Sequence, residues 1–361
     1  DILKINAAVP ATIKDKVILV TGATGSFGTV FCKTALQLGP SKVICFSRDE
    51  LKQEVLREDI ESALPQFASK MRYFLGDIRD YERLTQAFRG VDIVVHAAAL
   101  KQVPKLEYNP IEAVKTNING AENIVRAAIL CKVSKVFALS TDKAAAPANL
   151  YGSTKLCMEK IFVAANNMYH DAGTAFSIAR YGNVFGSRGS VVPVFHKMQA
   201  TGTLTITDLE MTRFSITLHQ GVAFVLNGIY IMLGGEVFVP KIYSYRIEQI
   251  AVAINPTCER PVVGIRVGEK LHEAMFTLDE SRDVYDCGTY YAIIPNAPWA
   301  YSVIDSIKNR DNGKQLTRST EYSSGTNTQW LSDAEIKELY EKWVAGDFNT
   351  CNDVEVKALL A

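Results

Sequence analysis

No stretch of this 361-residue chain stays apolar for the ~20 residues that a membrane-spanning helix needs. The longest apolar run, residues 222–233, is interrupted by Asn227 and reads as a core helix. An excess of charge is missing too, because 39 Lys and Arg balance 39 Asp and Glu. A neutral chain lacks the basic surplus that nucleic acid or an anionic membrane selects, so neither is expected as a partner. The seven cysteines (Cys32, Cys45, Cys131, Cys157, Cys258, Cys287 and Cys351) form no CxxC and no paired spacing. That argues against a zinc site or a disulfide framework; several lie in apolar runs, where free Cys behaves as a small hydrophobe. The expectation is a reducing cytoplasm and no metal. Residues 1–15 lack the apolar core of a secretory signal, and no repeat or low-complexity tract is visible.

What the chain does have is alternation. Short, nearly continuous apolar runs at 16–21, 42–47, 71–76, 92–98, 135–140 and 174–180 read as strands buried on both faces. Helical patterns lie between them, including 109–131 and 151–170. Such βα repeats predict an α/β fold: a Rossmann-like, doubly wound parallel sheet with a smaller interleaved substrate-binding lobe. Beyond Asn183 the pieces shorten to a helix near 191–200, a strand at 204–207, a helix near 219–233 and a strand at 236–239. Residues 306–329 read as loop and 330–344 as a final helix. The domain plan is an N-terminal extension at 1–14, a dinucleotide-binding domain with the catalytic residues at 15–185, a mainly substrate-binding lobe at 186–345, and a tail at 346–361.

Gly22, Thr24, Gly25, Ser26, Phe27 and Gly28 follow the first strand and open a helix. The GxxGxxG spacing lets a pyrophosphate approach backbone N–H groups at a helix N-terminus. Ser47 and Arg48 end the second strand, where an NAD site usually places a carboxylate, and suit a 2′-phosphate instead. The cofactor expected is therefore NADP, although Asp49 follows at once and could face a ribose. Asp77, at the third strand end, is a candidate for the adenine edge. Ala97, Ala98 and Ala99, at the fourth, leave room for ribose and nicotinamide.

The sharpest feature follows the fifth strand: Ser140, Thr141, Asp142 and Lys143, then Tyr151 and Lys155 on a helix. Tyr151 and Lys155 lie one turn apart on one face. There an ammonium can depress the phenol's pKa and make it a base that takes a hydroxyl proton while hydride leaves the same carbon. Thr141 can bridge the phenol and a substrate oxygen. Asp142 and Lys143 add an acid and a base, as β-elimination from a transient ketone requires. Asn183 and Arg188 follow the sixth strand and suit a diphosphate, as do Arg213 and Arg266; Lys101 can reach the sugar.

The stretches VTGATGSFG, FSRDELK, GDIRD, HAAALKQVP, EYNPIEAVKTNINGAEN, LSTDKAAAPANLYGSTKL, ARYGNVFGSRGSVVPVF, ITDLEMTRF, GGEVFVPKI and GIRVGEKLHE span roughly residues 15–340. Together they resemble extended short-chain dehydrogenase/reductases, specifically the inverting UDP-N-acetylglucosamine 4,6-dehydratases of pseudaminic-acid type. The resemblance implies Tyr151 as oxidation base with Lys155 as its partner, Asp142 as acid and Lys143 as the base at C5. It also implies cofactor contacts from Lys52, Ile78 and Ser140, and substrate contacts from Lys101, Lys143, Asn183, Arg188, Val191, Arg213, Arg266 and Glu269. UDP-N-acetylglucosamine is the substrate it implies, with a homo-oligomer, dimer or hexamer, as the assembly. Ser215, Tyr243 and Val267 depart from the family pattern, which has Trp at the first and commonly Pro at the others.

Overall fold

The computed structural model describes residues 1–317 and 319–347. A short helix, α1 (Val9–Ile13), precedes β1 (Val17–Thr21), α2 (Ser26–Gln37), β2 (Lys42–Ser47), α3 (Glu50–Ala63), β3 (Met71–Leu75), α4 (Tyr81–Ala87) and β4 (Ile93–His96). Then come α5 (Val103–Tyr108), α6 (Pro110–Ala113), α7 (Gly120–Leu130), β5 (Lys135–Thr141), α8 (Leu150–Met168) and β6 (Ala175–Tyr181). The second half supplies β7 (Asn183–Val184), α9 (Val191–Met198), β8 (Thr212–Ile216), α10 (Leu218–Ile231), β9 (Val237–Pro240), β10 (Tyr243–Arg246) and α11 (Ile247–Ile254). It closes with β11 (Ala274–Phe276), β12 (Val284–Asp286), β13 (Tyr290–Ile293), α12 (Tyr301–Arg310), β14 (Lys314–Gln315), β15 (Tyr322–Ser323) and α13 (Asp333–Ala345).

The main sheet runs β14-β12-β13-β9-β6-β5-β4-β1-β2-β3. From β3 to β9 every pairing is parallel, whereas β13, β12 and β14 join antiparallel. The inner strands are buried along nearly their whole length, as their unbroken apolar runs require. Chain order reverses between β1 and β4, so a crevice opens above the carboxyl ends of the strands there. A second core gathers Phe185, Val192, Phe195, Leu204, Ile206 and Ile250 with α13 residue Ile336.

The second half departs from its sequence pattern in two places. Residues 204–207 are no strand: Leu204 and Ile206 bury their side chains, but the backbone makes only single bridges, near Glu259 and Val262. Residues 306–329 are not one loop, since they hold the end of α12, β14 and β15. Those strands are two residues long and exist only through their partners β12 and β11, so no local pattern announces them. The helix expected over 109–131 is broken by a π-helical turn at Val114–Asn119.

Residues 1–14 are held to the body by Asn227, the polar residue inside the apolar run. Its Nδ2 donates to the carbonyls of Ile2 (2.8 Å) and Lys4 (2.7 Å), and its Oδ1 accepts from Asn6 N–H at 2.9 Å. Most of the tail expected at 346–361, residues 348–361, lies outside the described residues.

Candidate active site

Gly22 and Gly28 shape the loop between β1 and α2. Gly22 has φ +68°, and a Cβ there would lie 2.8 Å from Ala98 N; a Cβ on Gly28 would lie 2.5 Å from Gly22 O. Only glycine lets β1, the β4 end and the start of α2 approach so closely. Gly22, Thr24, Gly25, Ser26, Phe27 and Gly28 all line one cleft of about 1000 Å³ that runs across the crevice. Ser47, Arg48, Asp49, Lys52, Asp77, Ile78, Ala97, Ala98 and Ala99 line the same cleft.

At the β2 end Asp49 is already committed. It caps α3, accepting from Lys52 N–H at 3.0 Å and from Lys52 Nζ at 2.5 Å. Arg48 is half-exposed and reaches Asp77 at 3.5 Å, while Arg79 holds the same carboxylate at 2.8 Å. Two cations, Arg48 and Lys52, thus flank the rim of the cleft.

Asp142 and Lys143 form a turn at the end of β5, against the start of α8. Asp142 is buried, and its Oδ1 accepts from Thr141 Oγ1 at 2.9 Å and from Lys143 Nζ at 3.0 Å. Its Oδ2 is buried with no partner. Lys143 Nζ also meets Glu273 Oε1 at 3.1 Å. Burial alone would lower the Lys143 pKa, but Asp142 and Glu273 outweigh it and hold the ammonium above its usual range. At rest, then, this lysine is a cation, and it must give up a proton before it can act as a base.

Burial pushes the Tyr151 phenol up to about 12; the Lys143 ammonium and a hydrogen bond with Thr141 oppose that rise, and Asp142 adds to it. Lys155 is buried one turn along α8 from Tyr151. Its Nζ lies 3.0 Å from Met158 Sδ, and burial lowers it to about 8 against the pull of Glu159. Lys143 is thus a cation beside the phenol that the YxxxK spacing did not announce. Ser140 donates its hydroxyl to Glu159, which also takes the buried Arg180 guanidinium.

Lys101, Asn183, Arg188, Arg266 and Glu269 line the far part of the cleft. Desolvation and the neighbouring Arg188 lower the Lys101 pKa. Val191 and Arg213 do not line it. Val191 begins α9, and Arg213 is buried on β8, donating to the carbonyls of Thr212 (2.7 Å) and Leu271 (3.2 Å). Buried, unpartnered oxygens of Thr116, Asp142, Asn183, Ser190 and Glu269 all belong to residues of the cleft wall, as a polar ligand would require. Among the described residues, no group of His, Cys, Asp or Glu side chains could hold a metal ion, and no helix is long and apolar enough to cross a membrane.

Sequence reasoning missed Asn117 and Glu273. The π-helical turn carries Asn117, whose side chain clamps Leu100 N–H (2.9 Å) and C=O (2.8 Å) and reaches Thr154 Oγ1 at 3.0 Å. It thereby fixes the loop after β4 to α8, a positional use typical of π-bulges. Glu273 comes from far along the chain and carries no local signal.

Residues 18–295 match the family model described as a polysaccharide biosynthesis protein. A Campylobacter jejuni protein named UDP-N-acetylglucosamine 4,6-dehydratase (inverting) is 49% identical over 90% of this chain and 97% of its own length. A Rickettsia bellii protein named UDP-glucose 4-epimerase is 39% identical over 90% of this chain and 95% of its own. The X-ray structure of Pen from Bacillus thuringiensis superposes with a TM-score of 0.82, at 34% identity, covering 92% of this chain and 99% of that one. A parallel Rossmann sheet with a glycine loop after β1 and a Tyr–Lys helix after β5 defines the extended short-chain dehydrogenase/reductases. Within that class the chain belongs to the polysaccharide biosynthesis family that holds the inverting UDP-N-acetylglucosamine 4,6-dehydratases.

Proposed function

We propose that the protein is an NADP-dependent UDP-N-acetylglucosamine 4,6-dehydratase that inverts C5 and yields a UDP-2-acetamido-2,6-dideoxy-L-arabino-hex-4-ulose. The observation that carries this reading is the acid–base pair Asp142–Lys143, 3.0 Å apart, at the strand end beside Tyr151. An enzyme that only moved a hydride would need no second acid and base. The name of the C. jejuni relative agrees with it.

The glycine cradle and the two cations at the β2 rim fit NADP. Gly22, Gly25 and Gly28 let the chain turn tightly into α2, whose N-terminus would meet a pyrophosphate, and Arg48 and Lys52 would face a 2′-phosphate while Asp49 is occupied as a cap. The dinucleotide, when bound, accepts hydride from C4 and returns it to C6, so no net oxidation occurs. Every other step falls to the chain's own groups. In its phenolate form, which the Lys143 ammonium and the Thr141 hydrogen bond favour, Tyr151 takes the 4-hydroxyl proton. The resulting ketone acidifies the C5 hydrogen.

Asp142 and Lys143 share one proton across their hydrogen bond. Moving it from Nζ to the carboxylate creates a neutral amine and a neutral acid together. Lys143 then removes the C5 proton, and Asp142 protonates the departing 6-hydroxyl. As hydride reaches C6, a proton from solvent adds to the opposite face of C5, and Tyr151 releases the 4-hydroxyl proton to solvent, which completes the inversion and resets the site. Arg188 and Arg266 hold the diphosphate, and Lys101, Asn183 and Glu269 hold the sugar nucleotide. Residues 15–185 thus serve mainly the dinucleotide and residues 186–345 mainly the sugar nucleotide, in a cytoplasmic homo-oligomer.

Lys143→Met tests the assignment. With Tyr151 and Lys155 in place, a stoichiometric mixture of this variant and UDP-N-acetylglucosamine should give NADPH absorbance, slowed by loss of the Lys143 ammonium beside the phenol, without 6-deoxy product. Dehydration at near wild-type rate would make Lys143 a turn residue and refute the reading. A second reading, C4 epimerisation, is favoured by the R. bellii relative's name. It predicts that Lys143→Met still interconverts C4 epimers.

A further inference from the structure

The turn that carries Asp142 and Lys143 is clamped by a segment from the other half of the chain. Lys270 Nζ donates to Ala145 O at 2.8 Å, and Asn149 Nδ2 donates to Gly268 O at 2.8 Å. The same segment bears Arg266 and Glu269 in the cleft wall, and it ends at Glu273 just before β11. Glu273 does not line the cleft. It is 2% exposed, and both its backbone groups are pinned by Ser324: its N–H donates to Ser324 Oγ at 3.0 Å, and its C=O accepts Ser324 N–H at 2.8 Å. Its carboxylate meets Lys143 at 3.1 Å and Arg213 at 3.9 Å; Oε2 has no partner. Burying a carboxylate is costly unless it is paired, so Glu273 is placed for the ammonium it meets.

We propose that Glu273 is a positioning residue for the C5 base: it holds the Lys143 ammonium against Asp142 and sets the pH range over which that pair carries its single proton. The proposal rests on Lys143 being that base. Lys143 is faced by Asp142 from its own turn, Glu273 and Lys270 from the clamping segment, Arg213 from β8, Tyr245 from β10 and Tyr151 from α8. Asp142 and Glu273 are the acidic members of that set, and Arg213 and Lys270 partly offset them. The productive Asp142–Lys143 pair holds one proton. Gaining a second ends activity on the acid side, and losing the last ends it on the alkaline side. A fixed negative charge beside the pair raises both limits.

The experiment is the pH dependence of kcat for UDP-N-acetylglucosamine dehydration by wild type, Glu273→Gln, Glu273→Asp and Lys143→Met, with NADP affinity as the check on folding. Removing the charge in Glu273→Gln should move both limbs of the profile to lower pH, by about 1–3 units. Glu273→Asp keeps the charge but draws the ammonium back. Its limbs should stay in place while kcat falls on the order of 10–10²-fold. A Glu273→Gln profile that superimposes on wild type, or one that only drops in height, overturns the proposal. Should the Gln variant not bind NADP, Glu273→Asp decides: wild-type kcat overturns the proposal, and reduced kcat with unmoved limbs supports it. Near wild-type dehydration by Lys143→Met would remove the base assignment itself. An inactive Lys143→Met with an unmoved Glu273→Gln profile would remove only the role of Glu273.

Discussion

Tyr151, Lys143 and Lys155 were legible as reactive residues from their spacing, but their electrostatic pairing was not. The YxxxK pattern puts Tyr151 and Lys155 on one helix face, and the Lys143 ammonium, which also opposes the phenol's rise, arrives from the strand-end turn. Spacing gives direction along a helix; it says nothing of a side chain arriving from another element. Tyr151→Phe deletes a proton acceptor and almost no volume, so kcat should fall at least ~10²-fold with NADP affinity nearly unchanged. Steady-state kinetics check this, and more than half of wild-type kcat would contradict it. Arg48→Ala should weaken NADP binding by about 1.5–3 kcal/mol and leave NAD nearly untouched. Equal losses by calorimetry would mean that Arg48 reads no 2′-phosphate. Lys155 gives a stability test. Burial lowers it from 10.5 to about 8, so the unfolded chain binds this proton more tightly than the folded one. Its contribution is complete only above the unfolded value and is lost as pH falls through about 8. Lys155→Met should therefore raise stability at pH 7 by up to about 3 kcal/mol, with the gain nearly gone by pH ~11. Urea unfolding at both pH values measures it; the same gain at both would contradict the buried, depressed ammonium.

At the level of elements, the parallel core was readable because each inner strand is buried on both faces and advertises it as an unbroken apolar run. The strand ends that build the cleft came with it. What failed was the set of short pieces in the second half. β14 and β15 are two residues each, and residues 204–207 looked like a strand because Leu204 and Ile206 alternate inward without a continuous ladder. Such pieces take their state from tertiary partners rather than from local preference. The π-helical turn that presents Asn117 was likewise hidden inside an ordinary helical pattern. One exacting junction is the packing of α2 on β1. A methyl at Gly28 would meet backbone atoms of Ala23 and Gly22 at 2.5 Å, and backbone cannot step aside cheaply. Gly28→Ala should destabilise the protein by about 1–3 kcal/mol and loosen the dinucleotide loop. Thermal unfolding with and without NADP reads both effects; an unchanged midpoint and affinity would contradict this account of the loop.

Across the whole molecule, the two halves of the chain share one sheet and one site. β9, β13, β12 and β14 extend the parallel core, and the segment through Glu273 closes on the catalytic turn. A buried guanidinium ties the same parts together: Arg180 on β6 meets Glu159 on α8, Glu280 and the carbonyl of Met275. Removing it in Arg180→Met leaves Glu159 without its cation and should cost about 3–5 kcal/mol. Denaturant unfolding checks this, and a loss under ~1 kcal/mol would mean the network is solvated. The central claim is that this cleft dehydrates UDP-N-acetylglucosamine with inversion at C5. The most direct measurement is proton NMR of purified protein, NADP and UDP-N-acetylglucosamine in deuterated water. The account predicts a 4-keto-6-deoxy sugar nucleotide with deuterium at C5, C5 couplings of the L-arabino configuration and no accumulation of NADPH. A product that keeps its 6-hydroxyl and differs only at C4, or a 6-deoxy product with the original C5 couplings, would contradict it.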